Sequence, residues 1–252
     1  MSTYSCLVRS ATLSACFGLL LLAAETLSAA EYRIGHCLGG CPEGADPENQ
    51  LVVRSTYAMS FDSERATAVW LAYRMRSGAL GIASSLSREL LDDADLGIEV
   101  EALAGVADDS KVRSSLIPLV SVAGTPYWQE ANLVSASVLR SQSLDRGAWS
   151  GLEWSLRNVV NRRGEVNVIT GPLYSQDQQD YSAPIGFYKL IATADGELSV
   201  FRFEQGFAVH VHHCNARSSL EEIEAETGLR FFPEWDRSKL GAASLDAQLG
   251  CF

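Results

Sequence analysis

Positive charge is scarce in this chain of 252 residues: 20 Lys and Arg stand against 31 Asp and Glu, a formal net charge of −11. A surface of that balance repels phosphate at long range, which excludes a protein that grips nucleic acid over its whole exterior but leaves room for a local basic groove. Proline is sparse at 7 residues, and no Pro/Gly/Ser-rich linker or internal repeat divides the chain, so one domain is the simplest organisation. Only four histidines are present, His36, His210, His212 and His213, which bounds the choice of an imidazole base. Apolar material is plentiful at 47%, enough for a buried core, and a disordered or low-complexity chain is thereby excluded.

The longest apolar run is N-terminal and reads as a targeting segment. Arg9 supplies positive charge, residues 15–24 with Phe17 and Leu19 to Leu22 form a run too short for a stable membrane span, and Ser28-Ala29-Ala30 is a small-residue cleavage pattern. We expect a signal peptide over residues 1–30, a mature domain over residues 31–252 starting near Glu31, no membrane anchor after cleavage, and a periplasmic or secreted location. Leu13-Ser14-Ala15-Cys16 mimics a lipoprotein box, but the apolar run follows the cysteine instead of preceding it. Loss of the segment removes Arg9 and Glu25, one charge of each sign, so the acidity belongs to the folded part.

Export places the remaining cysteines, Cys37, Cys41, Cys214 and Cys251, in an oxidising compartment where disulfides persist. Proximity favours Cys37 with Cys41, leaving Cys214 to pair with Cys251. The alternative is zinc, held by Cys37 and Cys41 with His36, or by Cys214 with His210, His212 and His213.

Residues 51–58 and 66–75, rich in Val, Tyr and Trp, read as neighbouring strands around Ser60-Phe61-Asp62-Ser63. Residues 165–170 read as a buried strand ending at Gly171-Pro172, and residues 187–192 and 198–203 flank Asp195-Gly196 as a hairpin. Trp149, Leu152, Leu156, Val159 and Val160 recur at helical spacing and predict an amphipathic helix over 146–163, ended by Gly164. Ser219 and Glu222 form a capping-box pattern for a second helix that Gly228 closes. Strands interleaved with segregated helices predict an α+β domain with an antiparallel sheet.

Several ordered motifs together resemble one family. Cys37-Leu38-Gly39-Gly40-Cys41-Pro42, Ala68-Val69-Trp70-Leu71-Ala72-Tyr73, Pro118-Leu119, Ala123-Gly124, Trp128, Asn132 and Ser135 come first. They are followed by Leu144, Gly147, Trp149, Leu152-Glu153, Arg157, Thr170-Gly171-Pro172, Phe187-Tyr188-Lys189 and Thr227-Gly228-Leu229 through Phe231-Phe232-Pro233. In this order they resemble the DNA/RNA non-specific endonucleases of the ββα-metal class, the Serratia-type secreted nucleases. The resemblance spans nearly the whole mature chain and implies the ββα-metal nuclease fold, a central antiparallel sheet flanked by helices and stapled by disulfides.

It also implies a chemistry. In the family, a histidine at the end of an Asp-Arg-Gly-His strand takes a proton from water, an asparagine binds one hydrated magnesium, a glutamate holds its waters, and an arginine beside the histidine stabilises developing charge. Carried onto this chain, Asp-Arg-Gly-His falls on Val112-Arg113-Ser114-Ser115, so Ser115 stands at the base position and Arg113 survives. The magnesium-binding asparagine becomes Asp145, Glu153 and Arg157 are kept, Ser-Asn-x-x-Pro-Gln reads Ser135-Ala136-Ser137-Val138-Leu139-Arg140, and an upstream arginine becomes Ala83. Asp145 is an oxygen ligand, so Mg2+ binding is compatible with the donor type, whereas an unactivated hydroxyl at 115 accepts no proton near neutral pH and costs about 10²–10⁴ in rate.

The expected catalytic residues are therefore Ser115, Arg113 and Glu153, the expected metal ligand is Asp145, and nucleic acid is a partner that net charge disfavours. Trp149 belongs to the apolar stripe, and Arg113 beside Asp108 and Asp109 has a surface ion pair as its simpler role. Three functions follow from the sequence: a weakly active or inactive exported homologue of these nucleases, an active magnesium-dependent endonuclease with a shifted base, or an envelope interaction protein.

Overall fold

A seven-stranded antiparallel sheet, carrying a core on each face, organises the computed structural model, which describes residues 33–106, 110–175 and 183–252. The expected signal segment lies outside the described residues, as do Asp108 and Asp109. Among the described residues, no helix is long and apolar enough to cross a membrane.

The strands run in sequence as β1 Gln50–Val53, β2 Ala58–Asp62, β3 Thr67–Arg76, β4 Lys111–Ser115, β5 Ser137–Ser141, β6 Glu165–Leu173, β7 Gly186–Ala192, β8 Leu198–Glu204 and β9 Arg217–Ser218. Spatial order in the large sheet is β1-β2-β3-β6-β7-β8-β9, while β4 and β5 form a separate antiparallel pair. Three helices matter here: the single turn α1 Gln142–Leu144, α2 Ser150–Arg163 and α3 Leu220–Thr227. The domain is thus α+β, with the central antiparallel sheet the sequence implied.

Alternation along β3 explains why nearly every one of its residues is buried. Leu71, Tyr73 and Met75 point to the core containing Leu152, Leu156, Val159 and Val160 of α2, while Trp70 and Ala72 point to the opposite core containing Leu220 and Ile223 of α3. The capping box forms as read: Glu222 N–H donates to Ser219 Oγ, Ser219 N–H donates to the Glu222 carboxylate, and Gly228 closes α3 at φ 70°. Cys37–Cys41 and Cys214–Cys251 are both disulfides, as proximity suggested. His212, His213 and Cys214 present ligand atoms within 4.8 Å of one another, but the sulfur is bonded to Cys251 and His213 Nε2 meets the Leu249 carbonyl at 2.9 Å, so the zinc alternative is corrected.

Four expectations about elements need correction. The strand expected over 51–58 stops at Val53, and β2 starts at Ala58 and takes in Ser60-Phe61-Asp62, expected between strands, because the chain turns at Arg54–Tyr57 (Arg54 N–H to Tyr57 O, 2.8 Å) and Glu130 accepts the Ser55 and Thr56 N–H groups in that turn. Strand β6 runs through Gly171-Pro172 to Leu173, pairing Pro172 with Phe187. His210 and His212, whose alternation suggests one face of a strand, instead lie in a turn and at the cap of a short 3-10 helix, His213–Ala216. The helix expected from 146 begins at Ser150. Asp145–Trp149 is a π-type turn broken at Gly147 (φ −95°, ψ −114°), where any Cβ would approach the Val209 carbonyl oxygen to 2.6 Å.

Candidate functional site

Strand β4, the segment that follows it to Val120 and the start of α2 together wall a cleft of about 550 Å³. Trp149, Glu153 and Arg157 line it because a spacing of four residues keeps them on one helical stripe. Arg113, Ser114 and Ser115 come from β4, and Asp145 comes from the turn that carries the chain from β5 to α2. All four residues singled out for chemistry, Arg113, Ser115, Asp145 and Glu153, therefore share one cavity. None of the four histidines lines it.

Register decides which hydroxyl meets the carboxylate. Val112 pairs with Arg140 and Ser114 with Val138, so Ser114 and Arg140 are diagonal neighbours on one face of the ribbon. Arg140 Nη1 lies 3.1 Å from Ser114 Oγ and donates to Asp145 Oδ1 at 2.7 Å, and Ser114 Oγ donates to the same oxygen at 2.9 Å. Ser115 is directed otherwise: its Oγ accepts the Ile117 N–H at 3.2 Å.

Arg140 and Lys189 escaped notice in the sequence as functional residues. Arg140 is fully buried, with its guanidinium carbon 3.8 Å from the Trp149 ring centroid and 5.0 Å from that of Phe187. Lys189, also fully buried, shares a face of β7 with Phe187 and Ile191, sits 4.1 Å from the same indole, and donates to Glu153 Oε1. Burial pulls both cations below their ordinary values, against the opposing effect of Asp145 on Arg140 and of Glu153 on Lys189. Glu153 Oε2 is buried without a hydrogen-bond partner. The signals that would have found this arrangement are a lone Lys inside the apolar run 187–191 and an Arg at the end of a buried strand, five residues before an Asp.

Both acids of the cleft are thereby matched with internal cations, and this sets its charge. Arg88, Arg113, Arg146 and Arg157 also line the cavity, and among the described residues none has a carboxylate partner. Arg113 Nη1 donates only to Ser137 Oγ, at 3.4 Å, and partial burial pulls its guanidinium below the ordinary range. Because Glu153 is engaged by Lys189, Arg157 four residues on is left without its helical partner. The cleft can hold an anion by four free guanidinium groups, and it offers no imidazole to take a proton from water.

Lys189→Met should leave Glu153 as an uncompensated buried charge and cost about 3–5 kcal/mol, or a fall in Tm of roughly 10 °C for a domain of this size. Thermal unfolding checks it, and Lys189→Met with Glu153→Leu should regain most of the loss; an unchanged Tm in the single variant contradicts the pairing.

Comparison with known proteins gives a consistent picture. The profile of the family described as DNA/RNA non-specific endonuclease matches residues 128–238. A nuclease of Serratia marcescens is 29% identical over 228 residues, covering 83% of this chain and 85% of that protein. A nuclease of Nostoc sp. is 24% identical over 144 residues, 55% of this chain and 52% of that one. In three dimensions, a chain of the crystal structure of the EndoG/EndoGI complex superimposes with a TM-score of 0.70 at 19% identity, covering 86% of this chain and 98% of that chain.

Proposed function

Because the chain belongs to the DNA/RNA non-specific endonuclease family, we propose that it is an exported member that holds DNA or RNA by its phosphates and hydrolyses the phosphodiester bond weakly or not at all. One observation carries this reading: the cleft presents four arginines without carboxylate partners to an anion and no histidine lines it, in keeping with the motif carry-over that puts Ser115 at the base position. Electrostatic hold on the phosphate then persists, while the loss of a general base costs about 10²–10⁴ in rate. The two disulfides and the N-terminal apolar segment support export.

A second reading has its own support. Glu153 Oε2, buried and unpartnered, is an acceptor within the cleft wall, and an active enzyme with a shifted base would use it. Digestion of plasmid DNA and of RNA with magnesium separates the two. We expect no cleavage above background by the native chain and none by Asp145→Ala or Glu153→Gln. Strong native cleavage abolished by either substitution overturns the first reading and establishes the second.

A further inference from the structure

The family's magnesium invites a test against the donor set on this chain. The positions that would serve it are Asp145, as ligand, and Glu153, beside its waters. Asp145 Oδ1 already accepts two bonds, from Arg140 Nη1 and Ser114 Oγ, and Glu153 Oε1 accepts from Lys189. A divalent ion on the remaining Asp145 oxygen would stand within a few ångströms of a guanidinium that is fully buried and cannot swing away. That guanidinium is stacked on Trp149 on one side and bonded to Asp145 on the other. At such separations two like charges repel strongly even with partial screening, and magnesium demands near-ideal geometry besides. The donor set does not fit the ion.

The two departures from the family pattern are coupled in charge. Where relatives of the resemblance carry Asn and Gln, both neutral, this chain carries Asp145 and Arg140, one charge of each sign, in direct contact. The negative charge gained at 145 is therefore spent on Arg140 and is not available to recruit a cation. The Lys189–Glu153 pair repeats the arrangement against the same indole. Together the four side chains are neutral, and a dication would leave two uncompensated charges in a largely buried cluster.

We propose that Arg140, bonded to Asp145, takes the place of a divalent ion beside the cleft, so that this site binds no divalent metal. The inference deepens the reading of the cleft as a nucleic-acid site, but it is tested without nucleic acid, so that either can fail alone. Titration of the native chain with Mn2+, following the free ion by electron paramagnetic resonance, should show no site of sub-millimolar affinity. Arg140→Gln should bind Mn2+ at least about tenfold more tightly than the native chain. That gain should vanish in Arg140→Gln with Asp145→Ala, and Arg140→Lys, which keeps the charge, should show none. Sub-millimolar binding by the native chain that Asp145→Ala removes overturns the proposal, and this measurement stands even if Arg140→Gln does not fold. A folded Arg140→Gln chain with no gain overturns it as well.

Discussion

Cleavage of plasmid DNA in magnesium should return only when two sites are repaired together. Val112→Asp, Ser114→Gly and Ser115→His restore the family's strand end and its imidazole; Arg140→Gln with Asp145→Asn restores the neutral pair opposite it. The first set alone removes one of the two bonds to Asp145 Oδ1, that from Ser114, but leaves the 2.7 Å guanidinium contact in place. The second set alone leaves a hydroxyl where a base is required. Each set by itself should therefore remain within about tenfold of the native rate, and the combined variant should exceed it by roughly 10²–10⁴, the usual worth of a positioned general base. Such non-additivity is expected when groups act as a unit. Initial rates of plasmid nicking measure it, with Tm recorded for every variant so that misfolding is not mistaken for inactivity. Strong cleavage by the strand-end set alone would mean that Arg140 never obstructed the site.

Local features of the fold were legible in the sequence, and features made by distant contacts were not. The Ser219/Glu222 capping box and the β7–β8 hairpin rest on neighbours within a few residues, and both form as read, although Asp195-Gly196 sits in a five-residue connection over 193–197. The turn that splits 51–58 is held by Glu130, some 75 residues away, and the helix start is displaced by the approach of Val209 to Gly147; neither contact leaves a trace in the local pattern. The same distinction divides the candidate site. Arg113, Ser115, Asp145 and Glu153 could be placed by motif, and they share a cleft. Arg140 stands in the sequence only at the position of a family glutamine, and its partnership with Asp145 becomes visible only through the β4–β5 register. Net charge left room for a local basic groove but could not place it. A chain at −11 carries four unpaired arginines in one cavity because its two cleft acids are occupied from within.

That concentration of cations sets the second large effect. If Arg88, Arg113, Arg146 and Arg157 each displace a counterion from the backbone, duplex binding measured in EDTA should weaken with salt at a log–log slope near −3.6, and single-strand binding near −2.8. Between 50 and 200 mM salt the duplex affinity should then fall about a hundredfold. Each substitution among Arg113→Ala, Arg146→Ala and Arg157→Ala should weaken all sequences alike and shallow the slope by about one, since phosphate contacts carry no base information. Fluorescence anisotropy with labelled oligonucleotides reads both quantities. The rest of the acidic surface works against the complex at long range, so the loss with salt from these contacts is partly offset by screening of that repulsion. The decisive reading is therefore the change in slope between native and variant chains, in which the offset cancels. A slope that no arginine substitution alters would place nucleic acid elsewhere on the molecule or nowhere on it, and binding that requires a divalent ion would return to metal the role assigned to Arg140.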